Sequence, residues 1–328
     1  MRTLVFGGAG FVGLNIAERL LAQGDEVVLF DRIAIPDAAR SAFAALPGRL
    51  ETVSGDVTDP AAIAAVLRPD VDGVVLGAVI TADAAREARE PETILQVNLM
   101  ALPAILRAAR DAGVRRVVNL SSAAAYGSAA FGVERVDEET PLQPSGLYGI
   151  TKQGSELIGQ RLAQLWSLDF VSLRLSAVFG PWERATGVRD TTSAPFQITE
   201  AARLGTPALL GRPGVRDWVY APDVAHAVSA VMQAPLLRHA VYNVSSPACW
   251  SALAWGQALA ALRPGFECRL AGPQESPTIA LHSEADRAPL STHRLQQELG
   301  WSAAFGLADS AAHLEAWCRT PTPQKESS

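Results

Sequence analysis

Cysteine is scarce in this sequence, and its three cysteines lie far apart. Cys249, Cys268 and Cys318 form no CxxC pair, which speaks against a disulfide framework or a structural zinc site. Few cysteines without a pairing pattern fit a reducing, cytoplasmic setting. The five histidines show neither an HExxH motif nor clustered spacing, so we predict no metal ligands among them.

Long hydrophobic runs and basic blocks are also missing. The longest apolar stretch, from Val71 to Ile80, is interrupted by Asp72 and two glycines and is too short to cross a bilayer. The first residues run straight into a strand-like segment and lack the pattern of a secretory signal. Lys and Arg number 28 against 34 for Asp and Glu, a formal charge of −6, so the chain lacks the footprint of a nucleic-acid binder. We therefore expect neither a membrane nor a nucleic-acid partner.

What the chain does have is a regular alternation of strand-like and helix-like segments. Its 328 residues, 48% of them apolar, suffice for a large core without disulfide or metal support. The predicted strands, rich in Val and Leu as strands covered on both faces are, span 3–6, 26–30, 50–53, 71–76, 117–120, 170–173 and 241–244. The predicted helices span 11–23, 60–67, 91–112 and 146–166. This order predicts a doubly wound α/β fold with a parallel sheet.

The first strand is followed by a glycine-rich turn, with Gly7, Gly10 and Gly13 directly before an amphipathic helix. Glycines allow a tight turn and close approach of a ligand, and the helix N-terminus, here at Phe11 and Val12, offers free N–H groups to a pyrophosphate. The motif predicts a dinucleotide site, although a glycine-rich turn without a ligand is the simpler alternative.

Acidic residues follow the second and third strands. Asp31 lies 18 residues after Gly13, where a carboxylate would meet the adenosine ribose and repel a 2′-phosphate. NAD is therefore favoured over NADP, with the neighbouring Arg32 partly offsetting that preference. Asp56, followed by Val57, could reach the adenine, and a plain turn is an almost equal alternative for this carboxylate.

A tyrosine and a lysine four residues apart, Tyr148 and Lys152, share one face of a predicted helix. Free tyrosine has a pKa near 10, so a nearby ammonium such as that of Lys152 is needed before its phenol can act as a base at neutral pH. Ser121 and Ser122 stand at the end of a strand, where a hydroxyl could orient a reacting alcohol. A surface helix pair is the alternative for the tyrosine and lysine alone, but the combination favours proton transfer.

Taken together, these motifs make the chain resemble an extended short-chain dehydrogenase/reductase of the NAD-dependent epimerase/dehydratase family. The likeness covers most of the chain and rests on separated motifs in the right order. They are Gly7-x-x-Gly10-x-x-Gly13, Asp31, Gly55-Asp56-Val57, Asn98, Ser121-Ser122-x-x-x-Tyr126-Gly127, Tyr148-x-x-x-Lys152, Arg174-Leu-Ser-Ala-Val-Phe-Gly-Pro181 and Arg216-Asp-Trp-Val-Tyr-Ala-Pro-Asp-Val-Ala225.

The resemblance implies NAD as cofactor and assigns roles to individual residues. Ser122, Tyr148 and Lys152 would be catalytic, and Asn98 would support the geometry of the site. Leu76, Gly77 and Ala78 replace the His-Leu-Ala-Ala of many relatives and would form a small, apolar cofactor wall. The cofactor-binding set is then Gly7, Gly10, Phe11, Val12, Gly13, Asp31, Arg32, Asp56, Val57, Leu76, Gly77, Ala78, Asn98, Tyr148 and Lys152.

The resemblance also divides the chain. Residues 1–177 and 218–247 would form the NAD-binding domain, and residues 178–217 and 248–319 a smaller substrate lobe. Residues 320–328, with two prolines and terminal serines, are predicted to be a loose tail. The long helices 91–112 and 146–166 are apolar on more than one stripe, and a homodimer through them is expected.

Substrate recognition is predicted from arginines. Arg184, Arg216 and Arg287, with Ser122 and Tyr148, are the candidate substrate-binding residues, since a guanidinium suits phosphate and carboxylate alike. Ala177 stands where relatives that bind nucleotide sugars commonly have Asn, and this favours a smaller acid.

Three functions stay open on these grounds. The first is an NAD-dependent epimerase or oxidoreductase acting on a secondary alcohol of a sugar-type substrate, most often a nucleotide sugar in this family. The second is an NAD-dependent dehydrogenase of a free sugar acid. The third is a catalytically idle NAD-binding sensor or scaffold. Dehydration is disfavoured, because Ala123 to Ala125 replace the Asp-Glu pair of the dehydratases and elimination needs an acid and a base.

Overall fold

A computed structural model describes residues 1–281 and 283–319 of the chain. The predicted tail, 320–328, lies outside the described residues. Within them, strands and helices alternate along the first half of the chain, and most strands of the second half are shorter.

The strands are β1 (Arg2–Phe6), β2 (Glu26–Asp31), β3 (Arg49–Ser54), β4 (Gly73–Leu76), β5 (Arg116–Ser122), β6 (Phe170–Leu175), β7 (Val178–Phe179), β8 (Ala208–Leu210), β9 (Val215–Arg216), β10 (Val219–Tyr220), β11 (Val241–Val244), β12 (Trp250–Ser251) and β13 (Cys268–Leu270). The helices are α1 (Phe11–Ala22), α2 (Asp37–Ala44), α3 (Pro60–Val66), α4 (Ala84–Arg89), α5 (Pro91–Leu95), α6 (Leu102–Asp111), α7 (Leu147–Trp166), α8 (Ala194–Leu204), α9 (Ala221–Gln233), α10 (Ala252–Leu262), α11 (His293–Leu299) and α12 (Leu307–Arg319).

Seven of these strands form one parallel sheet in the order β11-β6-β5-β4-β1-β2-β3. All four residues of β4 are buried, as expected for a strand that helices cover on both faces. The direction of winding reverses between β1 and β4, and in such sheets ligands bind in the crevice at the carboxyl ends of the strands at this point. The predicted doubly wound α/β fold is confirmed.

Two local expectations need correction. The fourth strand begins at Gly73 rather than Val71, because Val71 belongs to the preceding turn, where its N–H bonds the carbonyl of Arg68. The predicted helix 91–112 is interrupted by a π-helical turn at Gln96–Met100, which separates α5 from α6. Such single π turns occur often at functional sites, and Asn98 lies in this one.

Apolar residues on the two faces of the sheet form separate core clusters, one including Val5 and Leu29 and the other Leu4 and Val28. A third cluster, which includes Phe179 and Trp255, joins β7 to helices α8, α10 and α12. Leu295 and Trp301, assigned above to the substrate lobe, pack in the cluster of the first sheet face. The exact division into two lobes stays a prediction.

Among the described residues, the helices are too short or too polar to cross a membrane. In the same part of the chain, we find no group of three His, Cys, Asp or Glu residues placed to hold a metal ion.

Candidate active site

The glycine-rich turn after β1 folds against the end of β4. Gly7 has a φ of +75°, and a Cβ atom there would lie 2.6 Å from the backbone nitrogen of Ala78. A Cβ on Gly13 would lie 2.5 Å from the carbonyl oxygen of Gly7. Side chains at these positions would push the turn away from β4 and from α1, so the predicted glycines are required by close packing.

The N-terminus of α1 faces the crevice. Gly10 is its N-cap, and no described side chain caps it, so the first N–H groups of the helix, at Phe11 and Val12, are free for a ligand. A free helix N-terminus beside a glycine turn suits the pyrophosphate of a dinucleotide. The residues present therefore fit the predicted cofactor.

Asp31, at the end of β2, lies beside the same turn. One of its carboxylate oxygens accepts a hydrogen bond from the Ala9 N–H at 3.0 Å, and the other accepts one from Ile33 N–H at 3.2 Å. The carboxylate thus holds the turn, and it lies at the strand end where the adenosine ribose was predicted.

Asp56 and Arg32 form the neighbouring part of this edge. Asp56 accepts hydrogen bonds from the N–H and the hydroxyl of Thr58, both at 2.8 Å, and pairs with Arg32 at 3.7 Å. Burial raises the pKa of Asp56, but the bonds from Thr58 and the charge of Arg32 outweigh it, and the net pKa is lowered. The turn that was the alternative for Asp56 is present, and its adenine contact stays a prediction.

A cavity runs between the sheet and the helices α6 and α7. Its walls include five predicted site residues together with Asn119 and Ser155 of β5 and α7. The five are Val57, Leu76, Ala78, Asn98 and Lys152. The structure therefore brings together residues that lie up to 95 positions apart in the sequence.

Asn98 ties two walls of this cavity together. Its side-chain amide accepts a hydrogen bond from Ile80 N–H at 2.8 Å and donates to the Ile80 carbonyl at 2.9 Å. It also donates to the Thr151 hydroxyl at 3.3 Å, and so joins the loop after β4 to α7. Because α7 carries the predicted catalytic pair, Asn98 lies where it can position that pair.

The candidate catalytic residues meet where α7 packs against the end of β5. The Lys152 ammonium, almost fully buried, donates a hydrogen bond to the Leu120 carbonyl at 2.5 Å and lies 5.7 Å from the centre of the Tyr148 ring. Ser122 ends β5, and its hydroxyl accepts a hydrogen bond from Ala124 N–H at 3.1 Å. Lys152 is one of only two lysines in the sequence.

Gly149 was not predicted, yet it decides how closely α7 approaches this strand end. A Cβ on Gly149 would lie 2.5 Å from the carbonyl oxygen of Ala124. The signal available in the sequence is its place directly after Tyr148 inside a helix, where a glycine needs a packing reason.

A buried ion pair behind the site was also missed. Arg174 of β6 donates to both carboxylate oxygens of Glu156, at 2.7 Å and 3.0 Å for its shortest bonds, and Ser121 donates its hydroxyl to Glu156. Arg174 also donates to the Tyr126 hydroxyl at 3.0 Å, and burial raises the pKa of Tyr126 to about 12 despite that charge. The signal is the i+4 spacing after Lys152, which places Glu156 on the same helix face.

Two of the three predicted substrate arginines lie together at the end of β6. Arg287 pairs with the buried Asp217 at 2.9 Å and donates to the Ser176 hydroxyl at 2.6 Å. Arg216 donates to the Ser283 hydroxyl at 3.1 Å, and none of the described carboxylates forms an ion pair with it. Burial, followed by repulsion from Arg287, lowers the pKa of Arg216 to about 10. A buried cation without an ion-pair partner is able to bind an anionic ligand.

Arg184 occupies another place. Its guanidinium donates to the Ala9 carbonyl of the glycine turn at 2.5 Å. Burial lowers the pKa of Arg184, while the nearby charge of Asp31 raises it. The structure thus sets Arg184 beside the predicted cofactor residues, and its role toward substrate stays a prediction.

Residues 3–245 match the model of the NAD dependent epimerase/dehydratase family. The strand order of the sheet agrees with the doubly wound fold that the motifs predicted. The chain belongs to this family. The predicted resemblance is confirmed, and the protein is an enzyme of the extended short-chain dehydrogenase/reductase type with NAD as its cofactor.

The proteins that this chain resembles differ in activity. The chain is 30% identical over 236 residues, 71% of its length and 69% of the relative's, to the dTDP-glucose 4,6-dehydratase of Mycolicibacterium smegmatis. It is 27% identical to the UDP-glucose 4-epimerase of Thermus thermophilus solved with NAD, with a TM-score of 0.76 and coverage of 96% and 99% of the two chains. It is 25% identical to MoeE5 solved with UDP-glucose and NAD, with a TM-score of 0.76 and coverage of 97% and 99%.

Proposed function

We propose that this enzyme is an epimerase that inverts a secondary alcohol of a nucleoside diphosphate sugar. The observation that carries the proposal is the placement of Arg287, which acts on the nearby Arg216 by its charge, one strand away from the candidate catalytic serine. Ser122 of β5 is in register with Leu175 of β6, and the next residue, Ser176, accepts the hydrogen bond from Arg287. Because neighbouring strands lie about 4.8 Å apart, a diphosphate held by these arginines would keep its sugar close to Ser122 and Tyr148.

The chain's own residues supply the proton chemistry. Tyr148 takes the proton from the reacting hydroxyl, and Ser122 orients that hydroxyl by a hydrogen bond. The buried Lys152 ammonium stabilises negative charge on the nearby phenol. When bound, NAD supplies a reversible hydride acceptor, and we propose that the glycine turn, the α1 N-terminus and Asp31 hold it.

Dehydration remains disfavoured, although dehydratases are among the relatives. The turn after Ser122 consists of Ala123, Ala124 and Ala125, two of them buried, and offers no acid or base to remove water. The second candidate is dehydrogenation of a free sugar acid. Ala177 supports it, because a relative's phosphate contact is missing there, and one of the arginines could bind a carboxylate. The idle sensor has no observation in its favour beyond the fold.

To distinguish these functions, the NAD-loaded protein is incubated separately with UDP-sugars, dTDP-sugars and free sugar acids. We expect an epimer of a nucleotide sugar on chromatography, with no net growth of the reduced-nicotinamide absorbance. Growth of the reduced-nicotinamide absorbance with a sugar acid would show that the protein is a dehydrogenase and not an epimerase. NAD binding without any product would favour the catalytically idle sensor.

Replacing the phosphate-facing cation should weaken binding of the nucleotide. We expect Arg216→Gln to lower the affinity for UDP at least about tenfold, because a charge-assisted hydrogen bond is lost. Calorimetry with UDP measures this, and Arg203→Gln, which loses an exposed pair with Glu200, is the matched control. Equal affinity in both variants would contradict the diphosphate site.

We further propose a homodimer formed through the face of α7. Ile150, Leu157 and Leu165 lie along one side of α7 and are, like Met100 of the π turn, between 46% and 65% exposed. We expect Leu157→Glu to turn the dimer into a monomer at micromolar concentration in light scattering, because a charge would be buried in an apolar interface. A monomeric wild type would contradict the dimer, and Leu236→Glu, another exposed leucine, is the control.

A further inference from the structure

The segment 182–193 crosses the crevice at the point where the sheet reverses. At its first end, Trp182 has a φ of +66°, unusual for a residue with a side chain, and its indole N–H donates to Glu18 of α1 at 2.8 Å. Two guanidinium groups then face the glycine turn. Arg184 donates to the Ala9 carbonyl, and the guanidinium carbon of Arg189 lies 5.9 Å from the centre of the Phe11 ring. The side chains of Trp182, Arg184 and Arg189 therefore lie on the β1 side of the crevice.

The backbone at 187–190, within the same segment, lies on the β4 side. Thr81 and Arg189 form a parallel bridge, with hydrogen bonds from Thr81 N–H to Val188 and from Asp190 N–H to Thr81. Asp190 accepts the N–H of Asp83 and pairs with Arg86, each at 3.0 Å. Arg86 also donates to the Gly187 carbonyl at 2.8 Å. The segment thus spans both walls of the crevice.

We propose that residues 182–193 form a strap that closes over the bound dinucleotide, and that Arg184 and Arg189 contact its phosphates. β1 and β4 are neighbours in the sheet, and a dinucleotide lies across their carboxyl ends. A segment tied to both ends covers the middle of that ligand. Arg184 accordingly serves the cofactor rather than the substrate.

The charges of the strap support this assignment. Arg184 is half buried and forms no direct ion pair with a described carboxylate, although the charge of Asp31 acts on it from nearby, so its guanidinium faces the turn without a bonded anion. Arg189 pairs with Glu183 at 3.0 Å and donates its Nε to the Thr191 carbonyl. Glu183 is almost fully buried, held by the N–H and the hydroxyl of Ser193, and fixes Arg189 above Phe11 at the α1 N-terminus. Fixed guanidinium groups of this kind bind phosphate oxygens through charge-assisted hydrogen bonds.

The strap gives the proposed epimerase a way to keep its cofactor between turnovers, and this consequence alone rests on the proposed function. An epimerase regenerates its NAD, whereas a dehydrogenase must release NADH. Closure by the Arg86–Asp190 ion pair on the β4 side and by the hydrogen bond of Arg184 to the Ala9 carbonyl on the β1 side slows release.

The first test opens the strap without touching the cofactor. We expect Asp190→Asn and Arg86→Gln each to speed NADH dissociation about tenfold or more, because the ion pair is lost. Stopped-flow measurement of NADH fluorescence gives the dissociation rate. Arg203→Gln, on the exposed Glu200 pair, should leave the rate unchanged. Wild-type rates in both strap variants would overturn closure.

The second test separates phosphate contact from support of Glu183. Arg189→Gln should lower NAD affinity about tenfold, but it also leaves Glu183 buried and unpaired. The double variant Glu183→Gln/Arg189→Gln removes that penalty. We expect its NAD affinity to stay low, and recovery to the wild-type value would show that Arg189 acts only on Glu183. Arg184→Gln should weaken NAD binding by a similar factor while leaving UDP affinity unchanged, and the reverse pattern would return Arg184 to the substrate.

The third test uses the unmodified protein. Trypsin can cleave after Arg184 and Arg189, and we expect NAD and ADP-ribose to slow this cleavage about tenfold, because local opening must precede it. AMP, which lacks the pyrophosphate, should protect less. Cleavage at equal rates with and without saturating NAD would overturn the strap. None of these measurements needs a sugar substrate. If the strap closes over NAD but the protein turns over no sugar, the proposed function fails and the strap stands.

Discussion

Tyr148→Phe is expected to lower turnover by about 10²–10⁴-fold, the usual contribution of a positioned acid or base. The phenol oxygen is the only atom that this change removes, and the buried Lys152 keeps its bond to the Leu120 carbonyl. NAD affinity should therefore stay near the wild-type value. Turnover of the sugar nucleotide identified in the screen, together with NAD titration by fluorescence, measures both effects.

Tyr242→Phe is the matched control for this prediction. Tyr242 lies on β11, donates its hydroxyl to Glu298 at 2.6 Å and accepts the His239 N–H at 3.2 Å, so the same change there removes two hydrogen bonds away from the crevice. Normal turnover in this control and in Tyr148→Phe alike would remove Tyr148 from the mechanism. Loss of NAD binding in Tyr148→Phe would assign the phenol oxygen to cofactor binding instead.

The buried ion pair should have the largest effect on stability. Arg174→Leu leaves the Glu156 carboxylate buried without its cation, and breaking such a pair costs about 3–5 kcal/mol of unfolding free energy. The network that holds α7 against β5 and β6 passes through Glu156 and Ser121, so the position of Lys152 should suffer as well. Urea denaturation of the two proteins measures the loss.

The double variant Arg174→Leu/Glu156→Leu separates the pair from its unpaired remainder. Replacing a buried pair by apolar residues of similar volume is often neutral or stabilising, so we expect it to recover much of the lost stability. A double variant as unstable as the single one would mean that the hydrogen bonds to Ser121 and Tyr126, rather than the unpaired charge, dominate.

Much of the fold followed from local patterns. The six strands predicted in the first 175 residues and the edge strand at 241–244 are present. In most of them runs of Val and Leu buried on both faces leave few alternatives, whereas β3 at the sheet edge has no buried residue. The π turn at Gln96–Met100 had no such pattern. It depends on Asn98 bonding Ile80 and Thr151, contacts that span 18 and 53 residues.

Part of the candidate site was likewise predictable from local sequence, and part depends on tertiary contacts. The sequence by itself determined the glycine turn, Asp31 and the Tyr148 and Lys152 pair, because each depends on neighbours within one turn or one helix. Only the tertiary structure decided that Arg184 faces Ala9, that Glu156 pairs with Arg174, and that Arg287 lies one strand from Ser122. Those contacts join residues 18 to 175 positions apart, and chain folding, rather than any local spacing, brings them within hydrogen-bond distance.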